Sequence, residues 1–231
     1  MAFELRFVLD LPFGTCVGVS LPAEGAFELP AGLHPVETAF ARALPEARRA
    51  GWVGGRVALR AALAAVSVEA SEPMLSTPRG APLLPAGAVG SVSHKRTIAV
   101  ALCAREADRR ATIGIDVEDL RPLLTDIAPR VLTSDELAVL PAQGPARDAA
   151  VLLAFSAKEA IYKALDPWVH RFVGFQEASV ARAADGSLTA RLALAGREGP
   201  FSVELHHAPV DDEEGLVLVA ARVRAAYAAG T

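Results

Sequence analysis

Two carboxylates stand two residues apart in an apolar stretch, Ile113 to Glu118, where their spacing suits metal chemistry. If this stretch is a β-strand, alternate side chains share a face, so Asp116 and Glu118 lie on the same side as Gly114. Two carboxylates about 6.6–6.8 Å apart along one strand face can share a hard cation, and glycine leaves space beside them. An acidic face exposed to solvent produces the same pattern, so the stretch alone leaves both interpretations open.

A third carboxylate lies between two lysines in the longest helical pattern of the chain. On a helix, Glu159 and Lys163 are one turn apart and share a line on the surface, while Lys158 projects about 100° away from Glu159. A carboxylate with two flanking ammonium groups suits a metal ion and a polyphosphate together. A surface ion pair worth about 0.3–0.5 kcal/mol is the simpler interpretation of the same residues.

Two further segments have the composition of an anion-binding site. In the turn after a predicted strand, Ser93 donates one hydrogen bond, and the imidazole of His94 donates two when it is protonated. Guanidinium groups suit phosphate monoesters because they donate a planar fork. The chain has such groups at Arg48, Arg49, Arg56 and Arg60, and in the proline-restrained turn that contains Arg79 and Gly80. A charged helix surface explains any one of these arginines, so only the whole set indicates an anion-binding site.

The elements that must position these residues are short strands and helices. Strands are predicted at residues 3–11, 15–21, 89–93, 97–104, 112–118, 173–180, 188–194, 201–207 and 216–223. Helices are predicted as a pair between residues 35 and 66, at 134–140, and at 146–165, where Asp166 and Pro167 end the last one. Residues 73–90 are rich in proline and glycine and predict a shaped loop. Helices combined with antiparallel strands in each half indicate an α+β fold.

Composition excludes several classes of protein. The 231 residues are 52% hydrophobic and carry a net charge of −4, which argues against global disorder and against nucleic-acid binding through a general positive field. Every apolar run is interrupted before the roughly 20 residues that a membrane span needs. The only two cysteines, Cys16 and Cys103, exclude a disulfide scaffold and suit a reducing compartment. We therefore expect a cytoplasmic protein with no nucleic-acid or membrane partner.

In their order along the chain, these motifs resemble the phosphopantetheinyl transferase superfamily, in its large type that includes the surfactin and enterobactin-synthase component D enzymes. The matching segments are GRVALRAAL at 55–63, PRGAPLLPAGAVGSVSHK at 78–95, GIDVE at 114–118 and FSAKEAIYKAL at 155–165. The GIDVE motif alone is weakly specific, but its combination with the downstream KE pair and the upstream SH pair is strongly specific. The resemblance extends from about Arg48 to Val180. Phe155 and Leu84 depart from it, because many relatives have tryptophan at these positions.

The resemblance implies an α+β fold of two similar α/β subdomains, 1–111 and 112–231, in a pseudo-twofold arrangement with the active site in the cleft between them. It implies a transferase that moves the phosphopantetheine arm of coenzyme A to a serine of an apo acyl or peptidyl carrier protein and releases adenosine 3′,5′-bisphosphate. Mg²⁺ is the implied cofactor, coenzyme A the co-substrate, and carrier protein domains of peptide, polyketide or fatty acid synthesis the partners. We expect the enzyme to be a monomer.

The resemblance also assigns a role to each candidate residue. The implied metal ligands are Asp116, Glu118 and Glu159. The implied catalytic residues are Glu159, which accepts the serine proton, and Lys163, which stabilises the leaving phosphate. The implied contacts to coenzyme A are Arg48, Arg56, Ser93 and His94 at the 3′-phosphate, Arg79 and Gly80 on the adenine side, and Lys158 at the pyrophosphate. The N-terminal subdomain thus holds the nucleotide, and the C-terminal subdomain holds the metal and the catalytic residues.

Two other functions use some of the same residues. A Mg²⁺-dependent phosphohydrolase or nuclease also needs three carboxylates and nearby lysines, but it does not need the SHK turn or the arginines of residues 55–63. A non-catalytic module that binds coenzyme A or a carrier protein does not need the complete set of catalytic residues. The presence of Asp116, Glu118, Glu159 and Lys163 together argues against decay of an active site.

Overall fold

The structure is a computed structural model that describes residues 3–22, 27–210 and 215–226. The chain divides into two units, Met1–Ala107 and Asp108–Thr231. Each unit combines helices with antiparallel strands, so the prediction of an α+β fold is confirmed. Among the helices of the described residues, none is long and apolar enough to span a bilayer.

Two helices and a four-stranded antiparallel sheet make up the first unit. The strands are β1 (Leu5–Leu11), β2 (Gly14–Ser20), β3 (Ala88–His94) and β4 (Ile98–Arg105), and the helices are α1 (Pro35–Ala43) and α2 (Glu46–Ala65). The strands lie in the order β1-β2-β4-β3. Helix α2 buries Leu59 and Leu63 in a core shared with Val17 of β2 and Ala101 of β4. This packing fixes the face of α2 that carries the candidate arginines.

The two cysteines belong to this same sheet. Cys16 of β2 and Cys103 of β4 are buried free cysteines. Burial raises the pKa of each thiol to about 12, and the neighbouring Cys103 adds to the effect on Cys16. Because the thiolate is the reactive form, these cysteines act as core residues rather than as nucleophiles.

A long helix packed on a three-stranded sheet forms the second unit. The sheet consists of β5 (Ala111–Asp119), β8 (Phe201–Val210) and β9 (Leu216–Ala225), in the order β5-β9-β8, and β6 (Ala178–Arg182) pairs with β7 (Leu188–Leu192) in a separate hairpin. The helices are α3 (Ala128–Val131), α4 (Ser134–Ala138) and α5 (Pro145–Val169), followed by a 3₁₀ turn at Phe175–Glu177. The core between α5 and the sheet includes Ile161, Leu165 and Val219. Helix α5 therefore lies across the strand that carries the two predicted carboxylates.

Two predicted elements of the second unit are wrong in their bounds. Helix α5 does not end before Pro167, because it continues to Val169 and ends at His170, which has a left-handed φ of 52°. Residues 173–180 are not one strand either. Their middle forms the 3₁₀ turn, in which the Glu177 carboxylate accepts a hydrogen bond from the Gly174 backbone nitrogen. Both differences come from local hydrogen bonds that the apolar pattern does not encode.

Candidate active site

The face of β5 that carries the two carboxylates lies under helix α5. The Thr112 hydroxyl donates a hydrogen bond of 2.6 Å to the Ala164 carbonyl of the helix. Four and six residues beyond Thr112 on the same strand face, Asp116 and Glu118 are only 4% and 6% exposed. An acidic strand face in solvent is therefore the wrong interpretation, since both carboxylates are buried beneath a helix.

Gly114 has a different role from the one that its sequence suggests. The sequence predicts that this glycine leaves room beside the carboxylates, but the backbone of α5 occupies that room. A Cβ atom at Gly114 would overlap the Ala160 carbonyl oxygen and would lie 2.9 Å from the Ala164 backbone nitrogen. The absence of a side chain thus sets the close approach of β5 to α5, which brings helix residues over Asp116.

Lys163 reaches the first carboxylate from the helix. Its ammonium group donates to Asp116 Oδ1 at 2.8 Å and to the Ile115 carbonyl at 3.0 Å. The simpler interpretation of Lys163, a surface ion pair with Glu159, does not describe these contacts. The ammonium group is instead held beside buried acidic oxygen atoms, where a cation can also stabilise phosphate charge.

Glu159 lies one helical turn before Lys163 and is half-buried. It lines a small cavity together with Tyr162 and Phe172, whose ring centroids are 5.6 Å apart. Phe172 is 68% exposed, so one wall of the cavity is an aromatic ring that faces solvent. The cavity measures about 10 Å³, close to the space that one water molecule needs, so it can place a water molecule beside the carboxylate.

The chemistry of the donor set fits a hard divalent cation. Asp116 and Glu118 offer carboxylate oxygens on one strand face, and oxygen ligands are those that Mg²⁺ prefers. Across the described ranges, however, no three histidine, cysteine, aspartate or glutamate side chains are grouped closely enough to form a metal site. The structure therefore places two of the three predicted ligands together and does not place Glu159 in a cluster with them.

Lys158 requires a correction. The sequence predicts a pyrophosphate contact, but the Lys158 side chain is 1% exposed and points away from solvent into the unit. Its ammonium group donates to Glu136 Oε2 at 2.7 Å, to the Val131 carbonyl at 2.8 Å and to the Phe175 carbonyl at 3.1 Å. These three acceptors use all three ammonium hydrogens, so in this structure none is left to bind a phosphate.

A charged cluster that the sequence analysis did not find holds the segment after α5. The Arg171 guanidinium pairs with Glu177 and with Glu198, at shortest distances of 2.7 Å and 2.6 Å. Glu177 also accepts hydrogen bonds from the backbone nitrogens of Gly174 and Ala195. The Arg171 hydrogen bond is the largest cause that lowers the pKa of Glu177 to about 2. Sequence spacing carries no signal for this cluster, because a turn and a loop bring the three residues together.

Replacing Glu177 by glutamine is expected to lower the free energy of unfolding at pH 7 by about 2 kcal/mol, since hydrogen bonds to a charged group are lost. The folded pKa lies below the unfolded value of 4.5, so this stabilisation is present above pH 4.5 and is lost as the pH falls towards 2. Urea unfolding at several pH values measures it. A constant difference between the two proteins from pH 7 to pH 2.5 would contradict the assignment, and Glu106→Gln, at an exposed position, is the control.

In the first unit, the predicted anion-binding residues divide into two groups. Arg49 donates to the carbonyls of Ala41 and Leu44, and Arg60 pairs with the buried Glu37 at 2.7 Å. These two arginines hold α1, α2 and the following loop together, and are structural. The residues that remain as candidates for binding a ligand are Arg48, Arg56, Arg79, Gly80, Ser93 and His94.

Arg48 and His94 lie at the same end of α2. Arg48 is exposed in the first turn of the helix, and Gly51 follows it by one turn on the same face. The His94 ring packs against Gly51, where an added Cβ would lie 2.5 Å from Nδ1. Ser93, the preceding residue, is 8% exposed at the end of β3. This end of α2 therefore combines three kinds of donor that suit an anion: a guanidinium, an imidazole and the backbone N–H groups of a first helical turn.

Arg56 is buried, with only 2% of its surface exposed. Its guanidinium carbon lies 4.7 Å from the Trp52 ring centroid, and Nη2 donates to the Ser76 hydroxyl at 2.9 Å. Among the described residues, Nε and Nη1 have no hydrogen-bond partner. Burial, the main cause, lowers the pKa of Arg56 to about 10, and Arg60 lowers it further against the opposing effect of Glu37. Two donors in a buried guanidinium are therefore available to an anion that reaches them.

Ser76, which accepts the hydrogen bond from Arg56, lies at the base of the turn that contains Arg79 and Gly80. Ser76 forms an isolated bridge with Pro82, and the Gly80 nitrogen donates to the Thr77 carbonyl at 2.9 Å to close the turn. Gly80 has a φ of 92°, a conformation that favours glycine. The shaped loop predicted for this proline-rich segment is confirmed. Arg56 holds the start of its turn through the hydrogen bond to Ser76.

The sequence pattern of the 4′-phosphopantetheinyl transferase superfamily matches residues 112–227, which is half of the chain and includes the carboxylates and both lysines. The chain belongs to this superfamily. The pattern of the 4′-phosphopantetheinyl transferase N-terminal domain matches residues 36–104, where the anion-binding candidates lie. The family resemblance read from the sequence motifs is therefore confirmed.

Individual relatives agree with this family assignment. Enterobactin synthase component D of Salmonella typhimurium is 38% identical over 58% of this chain and 54% of that protein. The 4′-phosphopantetheinyl transferases Svp of Streptomyces mobaraensis and PptT of Mycobacterium tuberculosis are 40% and 32% identical, over 71% and 90% of this chain and over 67% and 97% of their own lengths. The chain thus spans about half the length of the Salmonella relative and nearly all of the mycobacterial one.

Among solved structures, the chain is similar to a holo-(acyl-carrier-protein) synthase from Bacillus anthracis in complex with coenzyme A. The identity is 22% and the TM-score 0.41, over 49% of this chain and 96% of that chain. The synthase of Neisseria meningitidis is 26% identical with a TM-score of 0.38, over 48% of this chain and 96% of that chain.

Proposed function

We propose that the protein transfers the phosphopantetheine arm of coenzyme A to a serine of an apo acyl or peptidyl carrier protein. One observation carries the proposal: in a chain of this superfamily, the buried Asp116 and Glu118 of β5 lie under helix α5, from which Lys163 binds Asp116 at 2.8 Å. Buried carboxylates beside a lysine suit phosphoryl transfer, which depends mainly on positioning and on charge stabilisation. The alternative of a phosphohydrolase shares these residues, but it gives no reason for the nucleotide-binding candidates of the first unit.

In the proposed reaction, the serine oxygen of the carrier forms a bond to the β-phosphorus of coenzyme A. The bond from that phosphorus to the bridging oxygen breaks, and adenosine 3′,5′-bisphosphate leaves. Glu159 accepts the serine proton, either directly or through a water molecule, since it is half-buried beside a cavity of about 10 Å³, close to the space that one water molecule needs. The Lys163 ammonium group stabilises the charge on the leaving phosphate.

We propose Mg²⁺ as the cofactor, held by Asp116 and Glu118 with Glu159 as the third ligand. When bound, the cation neutralises the pyrophosphate and the negative charge that develops in the transition state. The chain's own contribution is to keep the carboxylates buried and oriented, through the close packing of Gly114 on α5. Lys163 already shares the Asp116 carboxylate, so a ligand that binds there must compete with this lysine or adjust it.

We propose that the first unit binds the nucleotide of coenzyme A. Arg48, His94 and Ser93 would hold the 3′-phosphate, because the exposed end of α2 offers a guanidinium, an imidazole and backbone N–H groups together. Arg56 lies further along the same helix, and its two unused donors favour an anion nearby. The turn of Arg79 and Gly80 would hold the adenine side. The protein acts in the cytoplasm as a monomer, with coenzyme A and carrier protein domains as its partners and without nucleic acid.

A mass measurement tests the proposed function. The protein is incubated with coenzyme A, Mg²⁺ and a panel of apo carrier proteins, and a carrier that is modified gains about 340 Da, the mass of the phosphopantetheine arm. The same incubation without the protein is the control. If no carrier gains this mass while coenzyme A or another phosphate ester is hydrolysed, the phosphohydrolase alternative is correct.

Replacing Arg48 or His94 by alanine is expected to raise KM for coenzyme A by about 10-fold or more, since a charged hydrogen bond to the 3′-phosphate is lost. Dephospho-coenzyme A lacks that phosphate, so its KM is expected to change by less than about 3-fold. Steady-state kinetics with both substrates measure the difference, and Arg109→Ala, at an exposed position at the start of the second unit, is the control. Equal losses with both substrates would show that these residues do not bind the 3′-phosphate.

A further inference from the structure

Lys158 and Glu136 form an ion pair that is almost fully buried, with 1% and 9% of their side chains exposed. Glu136 lies in the first turn of α4, where Oε2 also accepts a hydrogen bond from the Thr133 nitrogen at 2.6 Å. Its Oε1 accepts from the Val180 nitrogen of β6 at 2.7 Å. On the other side, Lys158 of α5 donates to the Val131 and Phe175 carbonyls. The pair therefore connects five elements: α3, α4, α5, the 3₁₀ turn and β6.

Stability alone does not explain such a pair. Removing two charges from water is costly, and replacing a buried ion pair by apolar residues of similar volume is often neutral or stabilising. Burial lowers the pKa of Lys158, while Glu136 opposes this shift, so the charged form depends on its partner. A buried pair whose side chains make five polar contacts fixes geometry, because each contact constrains both the distance and the direction of the side chains.

The position of the pair indicates that it fixes the rotation of α5 and the placement of the segment after it. Lys158 directly precedes Glu159, and both residues line the small cavity together with Phe172 and Phe175. A rotation of α5 about its axis would move Glu159 and would break the Lys158 contacts at the same time. The contact to the Phe175 carbonyl holds the segment that supplies the opposite wall of the cavity. The Phe155 and Phe175 rings, with centroids 5.4 Å apart, pack beside it.

We propose that Glu136 and Lys158 are a pair of positioning residues for the transfer reaction: together they fix the rotation of α5 and the segment 172–175, so that the Glu159 carboxylate keeps its position on the helix beside the small cavity. This inference rests on the proposed function. It gives Lys158 a role that differs from a contact to the pyrophosphate, because the lysine acts through its neighbour and not on the ligand. The two roles predict different kinetics.

A double-mutant cycle separates these roles. Glu136→Gln keeps an oxygen that can accept from Val180, Lys158→Met keeps the length of the side chain, and the double variant removes both charges together. Each single variant is expected to lower kcat by about 10- to 100-fold, the effect of a small displacement of the reacting groups. KM for coenzyme A is expected to stay within about 3-fold, and the double variant to recover at least part of kcat, because it leaves no uncompensated buried charge.

Several outcomes would overturn the inference. A direct phosphate contact predicts that Lys158→Met raises KM for coenzyme A, that Glu136→Gln has little effect, and that the double variant recovers nothing. A purely structural pair predicts lower unfolding temperatures with unchanged kcat per folded molecule. If Lys158→Met does not fold, Glu136→Gln decides between the roles by the same split of kcat and KM.

Two controls complete the experiment. Asp135→Asn removes the exposed carboxylate next to Glu136 and is expected to leave kcat and KM unchanged. The wild-type protein separates a failure of the proposed function from a failure of the positioning role. If it modifies no carrier, the proposed function fails and this inference fails with it. If the wild type is active and the cycle shows independent, additive effects, only the positioning role is wrong.

Discussion

Replacing Glu159 by glutamine is expected to lower the rate of phosphopantetheine transfer by about 10²- to 10⁴-fold, the usual contribution of a positioned proton acceptor. The amide has the same size but no negative charge, so it neither accepts the serine proton nor binds a cation as a carboxylate does. Because Glu159 is half-buried on the helix surface and lines a cavity, the protein is expected to remain folded. Single-turnover mass spectrometry of the carrier protein measures the rate.

The matched control for this variant is Glu106→Gln, which makes the same change at an exposed position that follows β4 in the other unit. Its rate is expected to equal that of the wild type. If the Glu159 variant retained a rate within about 3-fold of the wild type, Glu159 would be neither the proton acceptor nor an essential metal ligand, since either role predicts a far larger loss.

Replacing Gly114 by alanine is expected to lower the free energy of unfolding by about 3 kcal/mol, at the upper end of what overpacking a core costs. The added methyl group would overlap the Ala160 carbonyl oxygen, and the atoms that must move belong to the backbone of α5 and not to a flexible side chain. Because the same contact places α5 over Asp116, activity is expected to fall even under conditions where the variant is folded.

Urea unfolding measures the stability of this variant, and the transfer assay at low temperature measures its activity. The control is Gly32→Ala, since a Cβ at Gly32 meets no atom within 4 Å and the residue has no left-handed φ. A Gly114 variant within about 0.5 kcal/mol of the wild type would show that β5 and α5 can separate without cost. Their close contact would then not be what positions the carboxylates.

Much of the fold follows from the residues of the chain, because it depends on local patterns. Alternating apolar residues in β5 and the helical spacing in α5 predicted two elements of the second unit and the chemistry that they carry. The turn of Arg79 and Gly80 followed from its proline and glycine residues. The extension of α5 past Pro167 and the 3₁₀ turn at Phe175–Glu177 did not follow, since local hydrogen bonds decide them: His170 N donates to the Asp166 carbonyl, and Gly174 N donates to the Glu177 carboxylate.

For the candidate site, too, the sequence determined some properties and the tertiary structure determined others. The sequence determined which residue types are present and, through the order of the motifs, to which family the chain belongs. It did not determine that Lys158 points into the core and Lys163 towards Asp116, although both lysines lie on one helix. Nor did it reveal that Gly114 serves the packing of α5, or that Glu136 and Arg171 hold the elements around Glu159.

The physical reason is the range over which each property is set. Helix and strand periods, turn residues and motif spacing depend on neighbours within a few positions, so one sequence contains them completely. The direction of a long side chain and the burial of a carboxylate depend on elements that are distant along the chain, such as β5 and α5, which meet only in the folded protein. Tertiary packing therefore decides which of two chemically equivalent lysines lies beside the carboxylates and which one holds the scaffold.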